Sequence, residues 1–347
     1  MTRIRRFALL SATAAAAATS AVTLASCVPA PQPTPNLNPG AQAAGIDADR
    51  PEDLGFPLPD NSEIEPAGAT AAQTSGDEVP AGTLRPRPQN LNEAIPTIRQ
   101  RGRLIVGIDQ SINGLSFRDP VSGELSGFEV ALSREIAADI FGNPDAVEFR
   151  FIPSTDRTAA LERREVDLVA QTLSITTGRQ QEIQFSAPYL SSSTRLLVQR
   201  DSGISSFEDL PGRRVCAVGA STPLETVRRV APASDILKVA TWSDCLMAVQ
   251  QRQADAIIAD DAILLGIADQ DPFTVIPDAV TGEESYGLGI RRSTPSDDAS
   301  GLVRQVNWTL ERIRSDGTWD RLYDDWFTDS PLRDEMPAPV YVEEEAP

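Results

Sequence analysis

The chain has 347 residues, a formal net charge of -19 and no histidine. An acidic chain is a poor partner for nucleic acid, because phosphate neutralisation needs Lys and Arg. The lack of histidine excludes Ser-His-Asp hydrolysis, histidine zinc sites and imidazole proton shuttles, and neither a cofactor nor a metal is expected.

At the N-terminus, Arg3, Arg5 and Arg6 precede an Ala-rich apolar run from Phe7 to Ala25. A basic start followed by an apolar stretch is the layout of a secretory signal peptide. The run is poor in Leu and Ile, which makes it marginal as a bilayer span. Leu24-Ala25-Ser26-Cys27 at its end looks like a bacterial lipoprotein processing site. Residues 1–26 are then the signal peptide and Cys27 the lipidated first residue of an extracytoplasmic protein tethered to the cell membrane. Residues 27–88 are rich in Pro, Ala, Gly and acidic residues and are expected to be a disordered tether. Leu54, Phe56 and Leu58 alternate within it and offer a minor docking contact at most.

Folded structure is expected from about Leu91. A short helix over Ile95–Gln100 leads to an apolar strand, Leu104–Ile108, that ends in Asp109. Apolar residues at Val130, Leu132, Ile136 and Ile140 predict a helix over Phe128–Ile140. Val147–Ile152 reads as a strand, Arg157–Arg163 as a helix start and Val166–Thr172 as a strand. A similar run follows: strands Arg214–Val218, Ile236–Ala240, Ala256–Ala259 and Ser285–Ile290, and helices Pro223–Val230, Asp244–Gln251 and Leu302–Asp316. Trp319, Leu322, Trp326 and Phe327 form the apolar face of a last short helix. Alternating strands and helices predict an α/β protein with parallel pairing, and two such runs predict a cleft between two lobes. With Cys27 lipidated, Cys216 and Cys245 remain. In an oxidising compartment they read as one disulfide, with two buried free thiols as the alternative.

Polar residues cluster where the Val166–Thr172 strand ends. The hydroxyls of Thr172, Ser174 and Thr176 can converge with backbone N–H groups on an anionic oxygen, and Arg179 can pair with a carboxylate. Taken alone, these residues also describe a polar loop with a surface Arg. Three further segments accompany them: Ile183-Gln-Phe-Ser-Ala-Pro-Tyr189, Gly127-Phe128-Glu129-Val130, and Gly317-Thr-Trp319-Asp320 with Trp326. Together they resemble the extracytoplasmic amino-acid-binding proteins of ABC importers, the family 3 solute-binding proteins, over about residues 91–330. Arg103-Leu-Ile-Val-Gly-Ile-Asp109, Phe117-Arg-Asp-Pro120 and Arg214-Val-Cys216 with Asp244-Cys245-Leu246 look like the actinobacterial glutamate/glutamine-binding lipoproteins of that family.

The resemblance implies a two-lobed, type II periplasmic-binding-protein-like α/β fold with two crossovers. Lobe 1 would span 89–197 and return over 285–330, lobe 2 would span 198–284, and 331–347 would be a flexible acidic tail. The hinge would lie near Leu196–Arg200 and Glu284–Gly289. The resemblance also implies that Thr172, Ser174, Thr176 and Arg179 clamp a ligand α-carboxylate. Asp260 would bind the ammonium, with helix capping as its other role. Thr222, in Ala220-Ser221-Thr222, would either contact the carboxylate or cap the following helix. Asp109 joins the ligand set. Arg157 matches the position that takes a side-chain carboxylate in acidic-amino-acid binders, which favours glutamate and aspartate over glutamine and asparagine. The pattern is broken at Ala131, at Gly219 and at Ile112, where an aromatic often stacks on the ligand and Phe117 is the nearest replacement. The implied partners are the amino acid, an ABC permease and, through the lipid, the membrane. A monomer that catalyses nothing is expected. The rival readings are an extracytoplasmic enzyme carrying this lobe pair and a sensor that feeds a signalling partner.

Overall fold

The computed structural model describes residues 56–72, 80–294, 298–327, 332 and 335–342. The signal peptide and Cys27 lie outside the described residues. All described residues belong to one compact unit, Asp49–Pro347.

Strand β1 is Glu63–Glu65. Short helices α1 (Leu91–Ala94) and α2 (Pro96–Arg101) lead to β2 (Leu104–Ile108), whose residues are all buried, as in a parallel strand covered on both faces. A separate small sheet of β3 (Ser111–Ile112), β4 (Ser116–Arg118) and β5 (Leu125–Ser126) precedes helix α3 (Phe128–Phe141). Only glycine fits the start of α3. Gly127 has φ 131°, and a Cβ there would stand 2.2 Å from the Leu115 carbonyl oxygen. Next come β6 (Val147–Phe151), α4 (Arg157–Glu162), β7 (Leu168–Ala170) and α5 (Thr177–Glu182). The long strand β8 (Ile183–Gln199) leads to β9 (Arg214–Val218), α6 (Thr222–Val230), β10 (Asp235–Val239), α7 (Trp242–Gln250), β11 (Ala256–Asp260), α8 (Asp261–Ala268) and β12 (Thr274–Val275). Strand β13 (Val280–Arg291) returns, and α9 (Ser300–Ser315) and α10 (Thr318–Phe327) pack beside α3.

The other strands form one sheet in the order β1-β10-β9-β11-β8-β13-β7-β2-β6, with β12 pairing β8 off this path. Its two ends are parallel at their centres, β6-β2-β7 in lobe 1 and β10-β9-β11 in lobe 2. Antiparallel β8 and β13 join them and are the two crossovers. Residues Thr194–Val198 of β8 already pair with β11. From Thr194 on, β8 therefore runs beside a lobe 2 strand, ahead of the boundary expected at 197/198 and the hinge expected at Leu196–Arg200. In β13 the register shifts lie between Thr281 and Glu284 and between Tyr286 and Gly289, overlapping the expected second hinge.

Two segments expected to be loose are packed where they are described. Within 27–88, β1 pairs antiparallel with the edge strand β10, and buried Glu65 takes Arg228 at 2.6 and 2.9 Å. Covering an open edge satisfies its unpaired backbone groups. Thr83 bridges to Tyr341 in the tail, and Arg314 donates to the Met336 carbonyl at 2.7 Å. Composition suggested a tether and a tail, but cross-chain pairing orders these parts of both.

Candidate functional site

The residues brought together lie where the two lobes face each other. Arg157, Thr172, Ser174 and Arg179 from lobe 1 and Ser221, Thr222, Trp242, Asp260 and Ile263 from lobe 2 line a cavity of about 20 Å³. That is room for about one water, so an amino acid enters only when the lobes part.

Strand β7 ends at the cleft and delivers Thr172 with φ 43°, an uncommon conformation for a threonine. Its N–H donates to Glu129 Oε1 at 2.6 Å, and the Tyr189 hydroxyl donates to the same oxygen. Ser174 Oγ lies 3.1 Å from Thr222 Oγ1 across the cleft. Arg179 Nη1 donates to the Ser174 carbonyl at 2.9 Å, and Nη2 donates to the Ala220 carbonyl at 3.0 Å. Arg157, buried at the start of α4, donates to the carbonyls of Ser154, Gln171 and Ala220. Two lobe 1 guanidinium groups thus converge on one lobe 2 carbonyl. Ala220 presents it from a left-handed turn with φ 58°. Burial pushes the Arg157 guanidinium down to about 9, so it stays cationic at neutral pH.

The lobe 2 wall starts at Ser221. Its hydroxyl accepts from the Leu224 N–H at 3.2 Å and caps α6. The cap belongs to Ser221, which leaves the Thr222 hydroxyl turned to Ser174. Asp260 is the N-cap residue of α8 by position but makes no side-chain capping bond. Its Oδ1 accepts from Thr194 at 3.1 Å and its Oδ2 from Tyr286 at 2.7 Å. Burial, with the Glu284 charge second, raises the Asp260 carboxyl above its usual range.

Two expected ligand residues face elsewhere. The Thr176 hydroxyl accepts from the Arg179 N–H and caps α5. Asp109 Oδ1 accepts from the N–H and hydroxyl of Ser111 at 2.7 and 2.6 Å, closing the turn after β2. Neither lines the cavity. Sequence reasoning missed Trp242, the aromatic wall, and placed the aromatic at Phe117, which does not line the cavity. The signal was available in Thr241–Asp244, a capping box that starts α7 and carries Trp242 as its first residue. Glu129, which holds the Thr172 N–H, was also missed.

Residues 104–329 match the bacterial extracellular solute-binding proteins, family 3. The chain belongs to this family. It is 28% identical over 244 residues to the ABC transporter glutamine-binding protein GlnH of Bacillus subtilis (strain 168), covering 70% of this chain and 88% of that relative. It is 34% identical over 235 residues to the glutamate-binding protein GluB of Corynebacterium glutamicum, covering 64% and 78%. A mutant of ArgBP from T. maritima superposes with TM-score 0.61 at 25% identity, over 68% of this chain and 99% of that one. The expected type II periplasmic-binding fold is therefore present. As a family 3 member the chain is an extracellular solute-binding protein, and the two relatives named bind glutamine and glutamate. Among the described residues no helix is long and apolar enough to cross a membrane.

Proposed function

We propose that this protein captures glutamate or aspartate in its cleft and delivers it to an ABC permease while held to the membrane by lipid on Cys27. One observation carries the reading: Arg157 and Arg179 line the same cavity as Asp260. Two cations and one carboxylate are what a dicarboxylate with a single ammonium needs, whereas glutamine needs one cation fewer. Arg179, Ser174 and Thr222 hold the α-carboxylate in this reading, and Asp260 faces the ammonium. Arg157 takes the side-chain carboxylate. Three of its N–H donors go to backbone carbonyls, which leaves two of the five in a guanidinium for a ligand. Trp242 and Ile263 cover the methylenes. Thr176 and Asp109 hold the loops that carry these groups. Binding shifts the lobes toward closure, and no covalent step is needed.

Calorimetry of the secreted chain with glutamate, aspartate, glutamine and asparagine tests the reading. Arg157→Ala is expected to weaken glutamate by roughly 10- to 100-fold, the worth of a charge-assisted pair, and glutamine far less. Equal losses for both would remove the side-chain role. Arg179→Ala is expected to abolish binding of all four, and tight binding by that variant would sink the α-carboxylate clamp.

A further inference from the structure

Glu284 has no part in the reading above, yet it stands at the carboxylate clamp. After the register shift that follows Thr281, Glu284, Ser285 and Tyr286 of β13 pair in step with Ser192, Ser191 and Leu190 of β8. Side chains two apart on a strand share a face. The Tyr286 hydroxyl reaches Asp260 at 2.7 Å, so Glu284 is turned to the same cleft. The strand also lies against the ligand loop. The Ile175 N–H donates to the Ser285 carbonyl at 2.9 Å, and Ser174 forms an antiparallel bridge with Tyr286. At that point the Glu284 carboxyl group lies beside the paired Ser174 and Thr222 hydroxyls, and Arg179 and Arg229 supply positive charge near it. Burial pushes the Arg179 guanidinium down, and Glu284 is the foremost of the carboxylates opposing that shift.

We propose that Glu284 is a built-in occupant of the α-carboxylate clamp, a latch from the crossover strand that an incoming amino acid must displace. The proposal rests on the reading that Arg179, Ser174 and Thr222 hold the ligand α-carboxylate. Ser174 and Arg179 belong to lobe 1, Thr222 to lobe 2 and Glu284 to the strand that joins them, so the latch also holds the lobes together. Latched molecules cannot bind, and the apparent affinity is lowered by the unlatched fraction. The latch sets specificity as well. A ligand with a free α-carboxylate replaces the charge it displaces. An α-amide or a plain amine leaves buried donors unpaired and is rejected.

The test titrates L-glutamate and L-glutamine into the full secreted chain, its E284Q and E284D variants and the R179A variant, with thermal unfolding to show that each is folded. E284Q loses the negative charge that acts on Arg179. E284D keeps the charge but withdraws it by one methylene. Both are expected to bind the two amino acids roughly 3- to 30-fold tighter. Small-angle scattering without added ligand is expected to give them a larger radius of gyration than the parent. Equal or weaker binding by the folded variants overturns the latch, and weaker binding would reassign Glu284 to the ligand ammonium beside Asp260. Tight binding by R179A overturns the clamp itself, an outcome separate from failure of the latch. If E284Q does not fold, E284D decides by the same readouts.

Discussion

Glu129 sits fully buried in the first turn of α3, with Oε1 committed to Thr172 and Tyr189 and Oε2 unpartnered among the described residues. Its bond to the Thr172 N–H holds a strained residue at the mouth of the ligand loop. Desolvation raises its carboxyl from the ordinary 4.5 to about 7; the nearby Asp109 charge adds to this and Arg157 opposes it. Between those two values the folded protein keeps the proton and the unfolded chain does not. The stability this group contributes is therefore present at low pH and lost as pH rises toward 7, by on the order of 3 kcal/mol. Glu129→Gln keeps an acceptor for Thr172 and removes the titration. Denaturant midpoints at pH 5 and pH 8 are expected to lie closer together in the variant than in the parent, where Asp260 also titrates. An unchanged spacing would remove Glu129 as the source. Nothing in Gly127-Phe128-Glu129 announces this role, because the partners of Glu129 lie at positions 172 and 189.

At the scale of elements, sequence signals located helix starts well and assigned individual hydroxyls poorly. The Ala220-Ser221-Thr222 turn before Pro223 marks the start of α6. Which hydroxyl caps it depends on backbone dihedrals that two adjacent polar residues do not reveal, and Ser221 takes the cap. Strand β8 escaped detection for a related reason. Its Ser191-Ser-Ser-Thr194 stretch lacks apolar alternation, yet these residues are largely buried because β13 pairs along the strand edge and α8 packs on the strand. Glycine positions are more direct. Gly127→Ala meets both a backbone oxygen and a left-handed φ, and is expected to cost roughly 3–5 kcal/mol or prevent folding. Gly142→Ala at the C-cap of α3 has φ 71° and open space, and should cost about 1–2 kcal/mol. Chemical denaturation of the two variants checks the contrast, and equal losses would contradict the close approach at Gly127.

For the whole molecule, Cys216 of β9 and Cys245 of α7 form the disulfide, with Cα atoms 5.5 Å apart and a sequence separation of 29. Thiol titration of a denatured, unreduced chain that begins after Cys27 is expected to find no free thiol. Reduction should lower stability by about 2–4 kcal/mol, read as a shift in unfolding midpoint. Finding two thiols would refute the bond. The aromatic group at the C-terminal end has an equally global role. Trp319 donates its indole N–H to the Tyr189 carbonyl at 2.8 Å and packs with Phe128 and Tyr323, so the last helix steadies the crossover strand.

By itself the sequence determined the alternation of strands and helices and the motifs that carry the family resemblance. Those features rest on local periodicity and on motifs that lie within a few residues of one another. Tertiary structure decided the rest. It ordered β1 and the described part of the tail, set Thr194–Val198 of β8 beside β11, gave the Thr176 and Asp109 side chains local partners, and brought Trp242 to the cavity and Glu129 to the Thr172 loop. Each of these depends on edge pairing or on a buried charge finding its partner across distant segments. Only the packed chain supplies the low-dielectric surroundings that give such contacts their weight.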